Sequence, residues 1–149
     1  MSPVSNDAKL SAAVARTLEE LCFYCAESGV MPAEPIEGAS FARVRFAGHW
    51  DGELVIGVDN ALLREFAEGL LGEDAASEDD IASALMEIAN VVCGNALPDV
   101  ESSAVVFALG SPALCGRDTF GSEGLARVAQ ASLDRGHVVV RLFRDPVAA

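Results

Sequence analysis

Residues Ser77 to Leu97 read SEDDIASALMEIANVVCGNAL, and this stretch decides the fold. Ser77 followed three residues later by Asp80 has the spacing of a capping box, with Asp in place of the usual Glu or Gln. Glu78, Asp79 and Asp80 put negative charge at the positive end of a helix dipole. Ile81, Leu85, Ile88 and Val92 then recur at helical spacing and predict one apolar stripe. Pro98 is expected to stop the pattern. At ~1.5 Å rise per residue such a helix is about 28 Å long, enough to cross a small domain.

The opposite face has its own pattern. Ser83, Glu87, Asn90 and Gly94 fall within one narrow stripe when residues advance ~100° each, away from Ile88. Glu87 and Asn90 are three apart, so their side chains are neighbours. Asn is a poor helix-interior residue because its amide competes with the backbone. Gly94 costs ~1 kcal/mol against Ala in a helix. Ser83 and Gly94 are small and leave the flanks open, so the stripe presents a carboxylate and a carboxamide to any partner surface. The alternative is the solvated side of an amphipathic helix, which the Glu-x-x-Asn spacing alone does not exclude.

Upstream, Asp59 is a candidate N-cap for a helix over Asn60 to Leu71, with Leu62, Leu63, Phe66, Leu70 and Leu71 apolar and Gly72 at its end. Glu73 to Asp80 is an acidic connector lacking the glycine an EF-hand loop needs, so its charge serves solvation and capping. Phe41 to Ala47 and Glu53 to Val58 alternate and are separated by a Gly-bounded turn. They predict a hairpin with Ala42, Val44, Phe46, Leu54, Ile56 and Val58 on inner faces. Asn6 to Gly29 reads as an amphipathic helix whose shared face is Leu10, Val14, Leu18, Leu21 and Cys25, with Gly29 as the cap. Val30 to Ser40 is a Pro- and Gly-bearing loop.

Downstream, Ser103 to Leu109 is strand-like, and Gly110 to Gly121 is a loop with a short strand at Ala113 to Cys115. Leu125 to Leu133 alternates, with Leu125, Arg127 and Ala129 on one side, and pairs across Asp134 to Gly136 with Val138 to Phe143. The pattern predicts an α+β fold, an antiparallel sheet packed with helices. The length of 149 residues predicts one domain over 1–149.

Composition narrows the function. Hydrophobic residues make up 51% of the chain, which excludes disorder. The formal net charge is −13, and Lys9 is the sole lysine, so nucleic acid and anionic membranes are not expected partners. No apolar run reaches the ~18 residues of a membrane span, and the N-terminus lacks the pattern of a signal peptide. A cytoplasmic location with reduced thiols follows for Cys22, Cys25, Cys93 and Cys115. Cys22 and Cys25 form a C-x-x-C within the first helix, a spacing open to a redox pair, to half a zinc site with His49 and His137, or to plain core thiols. Core thiols are expected, because no second C-x-x-C or H-x-x-x-H supports zinc and no strand precedes the pair. No Gly-rich phosphate loop and no G-x-S-x-G elbow occurs. If there is chemistry, it runs without a histidine base or a nucleophile of its own, which points to positioning a water in another protein's site.

Three stretches carry a family resemblance: GHWDGELVIGVDNALLREFAEGLLGED, then ALMEIANVVCGNALP, then GSPALCGRD. Together they resemble the CheX members of the CheC/CheX/FliY chemotaxis phosphatases, over about Phe41 to Phe143. The matching features are Leu71-Gly72-Glu73, a single Glu87-x-x-Asn90 and the following Gly94. The resemblance implies a CheX-like domain that hydrolyses the aspartyl phosphate of a CheY-like receiver domain. Glu87 would pair with a receiver lysine, and Asn90 would orient the attacking water. It implies no cofactor bound by this chain, with Mg²⁺ held by the receiver, and a homodimer. Flagellar switch components share the fold and bind without catalysis. A non-enzymatic adaptor on a receiver or a switch-like assembly is therefore the alternative, as is an unrelated interaction domain.

Overall fold

The structure, a computed structural model, describes residues 8–22, 27–28, 39–48, 51–71, 77–101, 107–116, 125–133 and 136–144. The capping box forms: the Asp80 amide donates to Ser77 Oγ at 3.1 Å, and the Ser77 amide donates to Asp80 Oδ2 at 3.1 Å. Behind it runs the long helix, Glu78–Glu101. Two helices precede it, Ala8–Cys22 and Asn60–Leu71. In chain order these are α1 (Ala8–Cys22), α2 (Asn60–Leu71) and α3 (Glu78–Glu101). The strands are β1 (Glu27–Ser28), β2 (Ala39–Gly48), β3 (Gly52–Asp59), β4 (Phe107–Leu109), β5 (Ala113–Cys115), β6 (Leu125–Leu133) and β7 (Gly136–Arg144).

The strands form an antiparallel sheet in the order β1-β6-β7-β3-β2-β4, with β5 also paired to β2. The expected hairpin is β2–β3, with Ala42 opposite Ile56 and Val44 opposite Leu54. One face of the sheet carries Val44, Phe46, Leu54, Ile56, Val140 and Leu142 into a single core with the apolar sides of all three helices. Phe66, Leu10, Leu18, Leu85 and Ile88 are among its fully buried members. Each such side chain contributes roughly 1.5–3 kcal/mol of burial. The other face holds a smaller cluster of Phe41, Val55, Val139 and Phe143. The Phe41 ring lies over the backbone of Gly57, where a Cβ would meet its Cε1 at 2.6 Å.

Several expectations need correction. Pro98 does not stop α3, which continues to Glu101. Proline removes one helical hydrogen bond and crowds a carbonyl, which bends a helix rather than ending it where packing holds the preceding turn. Ala96 and Leu97 are buried in that turn. The first helix ends at Cys22, ahead of Gly29, and Glu27 and Ser28 instead pair with Ser132 and Ala131 as an edge strand. Pairing there satisfies the backbone groups that the β6 edge would leave open. Strict alternation at the start of β6 fails, because the register shifts between Leu125 and Arg127. The expected strand from Ser103 is observed as Phe107–Leu109, residues 102–106 lying outside the described set. The side chains of Leu21, Leu70 and Leu71, together with Cys25, Gly29 and Gly72, also lie outside it.

Candidate functional site

Most of the surface of α3 is covered. Leu85, Ile88, Ala89, Val92, Cys93 and Ala96 are buried in the core. Ala84 packs against Ala67 of α2. Asn95 faces α1, where its amide donates to Thr17 Oγ1 at 3.1 Å. That hydroxyl in turn donates to the Ala13 carbonyl at 2.7 Å. Thr17 is 1% exposed, so this directional pair sits within an otherwise apolar helix contact.

One stripe remains open. Ser83, Glu87 and Gly94 are exposed and Asn90 is half-buried. At ~100° per residue these four positions span an arc of about 60°. The structure therefore brings together all four residues singled out from the sequence. Gly94 lies against the sheet-edge strand: a Cβ there would meet Leu109 Cδ1 at 3.6 Å, an ordinary contact. The stripe is open along its length because the core-facing residues lie on the far side of the helix.

Strand β4 borders that stripe at Gly94, and β5 follows it along the same sheet edge, a feature the sequence pattern concealed. Both pair with β2, but Leu109 opposes Phe46 while Ala113 opposes Arg43. One extra residue is thus accommodated at Gly110-Ser111-Pro112, where the Gly110 amide donates to the Arg45 carbonyl at 2.7 Å. This is a bulge in an edge strand, a place where proline's missing N–H does no harm. The bulge carries the chain past α3, from Leu109 beside Gly94 to Leu114 beyond Ala82. Leu114 is 53% exposed, the large hydrophobic residue left open among the described residues. The sequence placed it in the short strand expected at Ala113 to Cys115, but carried no signal of its exposure.

Cys93, on the core side of the helix, is not a nucleophile. Cys93 is fully buried, and burial pushes its thiol up to about 12. Cys115 is half-buried. Among the described residues no group of three or more His, Cys, Asp or Glu side chains is placed to hold a metal ion. The zinc and redox readings of Cys22, Cys25, His49 and His137 rest on side chains outside the described residues. What the open stripe offers is a carboxylate for a cation and an amide that both donates and accepts.

Residues 40–126 match the family of the chemotaxis phosphatase CheX. The chain belongs to the CheX family. The match covers β2 through the start of β6 and includes the whole of α3. The fold resembles the CheX–CheY–BeF3–Mg²⁺ complex structure from Borrelia burgdorferi, at 19% identity and a TM-score of 0.72, covering 93% of this chain and 96% of that one. It resembles CheX from Vibrio vulnificus equally, at 17% identity and a TM-score of 0.72, covering 94% of this chain and 100% of that one. The FliM middle domain from Vibrio alginolyticus is more distant, at 12% identity and a TM-score of 0.57, covering 93% and 89%. No curated protein matches the chain. No helix among the described residues is long and apolar enough to cross a membrane.

Proposed function

We propose that this CheX-family chain is a phosphatase acting on the aspartyl phosphate of a CheY-like receiver domain. The observation that carries the reading is the open stripe of α3, with Glu87 and Asn90 side by side on a helix whose opposite side is buried in the core. Glu87 pairs with a receiver lysine and fixes the register of docking. Asn90 enters the receiver's site and holds a water with its lone pair toward phosphorus. The water oxygen bonds to phosphorus as the aspartyl O–P bond breaks, yielding aspartate and inorganic phosphate. The metal that neutralises charge in this step belongs to the receiver. Phosphoryl transfer asks little covalent chemistry of a protein and is catalysed by positioning and electrostatics. A site with no histidine in the stripe and a neutral buried thiol behind it is suited to that task.

The family membership supports this reading, as does the likeness to a CheX captured with CheY and a phosphoryl mimic. The same proposal includes a cytoplasmic homodimer, which light scattering of the purified chain measures. The test of the catalytic role is single-turnover dephosphorylation of a phospho-receiver by wild type and Asn90→Ala. Affinity for a beryllofluoride-activated receiver is measured in parallel. Asn90→Ala is expected to lower the rate ~10²-fold or more while leaving binding intact. Glu87→Lys is expected to weaken binding, since like charges at a close contact cost several kcal/mol. Equal rates for wild type and Asn90→Ala sink the mechanism. A wild type that binds a cognate receiver but never speeds phosphate loss is an adaptor.

A further inference from the structure

The open stripe of α3 has an apolar residue on each of its borders. Four residues advance a helix by ~40°, so Met86 lies one step beyond Asn90 and Val91 one step beyond Glu87. Around the helix the order is Met86, Asn90, Glu87, Val91, two polar groups between two apolar ones. Met86 and Val91 are both half-buried. Ile81, Phe107 and Leu109 are half-buried too, but those three pack against the core. Met86 and Val91 join none of the apolar clusters formed among the described residues. Their apolar surface borders the polar pair without contributing to those clusters.

Resting on the receiver reading above, we propose that Val91 and Met86 are the two water-excluding borders of the docked site. Val91 takes the methylene stem of the receiver lysine, and Met86 closes the water site at Asn90. The direction of side chains on a helix supports this division. Each Cα–Cβ bond leans toward the helix N-terminus, so Val91 leans over the turn that bears Glu87, and Asn90 leans over the turn that bears Met86. A lysine is an apolar stem ending in a charge, and such stems lie along apolar surface while the charge reaches its partner. With the ammonium on Glu87, the stem has Val91 beside it. Water shut out there also shields the ion pair, because a partly buried pair is screened by salt much less than an open one. At the other border, Asn90 has to hold one water in one orientation. The Met86 thioether is at most a weak acceptor, so it offers that water no strong competing partner. Apolar groups that exclude water around a polar contact are the usual setting in which such a contact carries affinity.

The experiment measures Kd for receiver domains of the source organism, loaded with beryllofluoride and Mg²⁺, at several salt concentrations. The single-turnover rate at saturating enzyme and the Tm are measured alongside. Val91→Thr keeps the side-chain shape and adds a hydroxyl, and is expected to raise Kd about fivefold or more and to steepen its salt dependence. The rise is expected to shrink in a Glu87→Gln background, because both residues act on one lysine. Met86→Gln keeps the length and the helix propensity but sets a competing amide beside Asn90. It is expected to lower the saturating rate about fivefold or more. Val91→Ile and Met86→Leu are expected to restore wild-type values. Val91→Ala and Met86→Ala remove the same apolar surface and decide the matter if a polar variant does not fold. Folded variants with wild-type Kd, salt slope and rate overturn the inference and leave the Glu87–Asn90 reading standing. A lowered Tm with none of those three readouts moved also overturns it, since the two side chains then serve the fold alone. Failure of wild type to bind any receiver overturns both readings together.

Discussion

Alanine at position 94 separates what Gly94 does for the helix from what it does for the docking face. In a helix interior Gly is ~1 kcal/mol worse than Ala. Nothing among the described residues reverses that sign: a Cβ at Gly94 would meet Leu109 Cδ1 at 3.6 Å, a van der Waals contact, with no other described atom outside its own helix turn within 4 Å. Gly94→Ala is therefore expected to stabilise the fold by about 1 kcal/mol. For a chain of this size that is roughly 2–4 °C in Tm. In urea, with a slope of roughly 1–3 kcal/mol/M, the midpoint rises by about 0.3–1 M. The new methyl, however, stands in the open stripe one helical turn from Asn90. A misplacement of about 1 Å at a positioning site costs ~10²-fold in rate. The expected outcome is a more stable protein with single-turnover dephosphorylation slowed tenfold or more. A destabilised Gly94→Ala would show that the glycine serves the fold, through a crowding at Leu109 tighter than 3.6 Å implies. A stabilised variant with full activity would place Gly94 outside the receiver's footprint.

Further outcomes follow from the same geometry. Ile88→Asp puts an unpaired charge at a fully buried position in the middle of the core stripe and is expected to abolish the cooperative melt. A near wild-type Tm by circular dichroism would mean the faces of α3 are wrongly assigned. Gly57→Ala drives a Cβ to 2.6 Å from the Phe41 ring and is expected to cost ~1–3 kcal/mol by overpacking. Gly69→Ala, with nothing within 4 Å, is expected to gain ~1 kcal/mol in parallel urea titrations. Cys93 has its folded value raised from an ordinary 9.0 to about 12, so its contribution is complete below pH 9 and lost as pH climbs toward 12. Wild type should lose stability across that window more steeply than Cys93→Ala, and equal slopes would count against the buried thiol.

The parts of this fold that were legible in the sequence are those where local chemistry and burial agree. Ser77 and Asp80 could be read as a capping box because both partners lie within one turn, and both bonds form. The β2–β3 hairpin was legible because Arg43 and Arg45 alternate with Ala42, Val44 and Phe46. The four residues of the open stripe were legible because helical spacing alone fixes which side chains share a face. What escaped was set by contacts distant in sequence. Glu27 and Ser28 carry no strand signal of their own and are strand only because β6 offers them an edge. Pro98 was over-read, since a local breaker yields when packing holds the turn ahead of it. The short strand at Ala113 to Cys115 was legible, but its pairing with β2 across the one-residue bulge at Gly110-Ser111-Pro112 was not. The Asn95–Thr17 hydrogen bond also escaped, because its partners lie in different helices far apart in sequence.

The proposed chemistry makes the rigidity of α3 a functional quantity. If Asn90 acts only by holding a water, the rate depends on how narrowly the helix fixes that amide, and no other group in the stripe compensates. The structure restrains α3 in three distinct ways. The capping box closes its first turn against fraying. The core stripe from Leu85 to Leu97 presses it onto the sheet, but apolar contacts tolerate small rotations because they have no preferred direction. The Thr17–Asn95 hydrogen bond is directional, and lies on the side of the helix facing α1, away from the open stripe. A rotation of α3 large enough to swing Asn90 must lengthen that bond and weaken the pairing of the half-buried Asn95 amide, at about 1 kcal/mol. The polar pair thus resists the motion that the apolar core permits. On this account the chain presents one amide at a fixed angle and leaves metal, phosphate and leaving group to the receiver, which is why so little of its own surface needs to be chemically active.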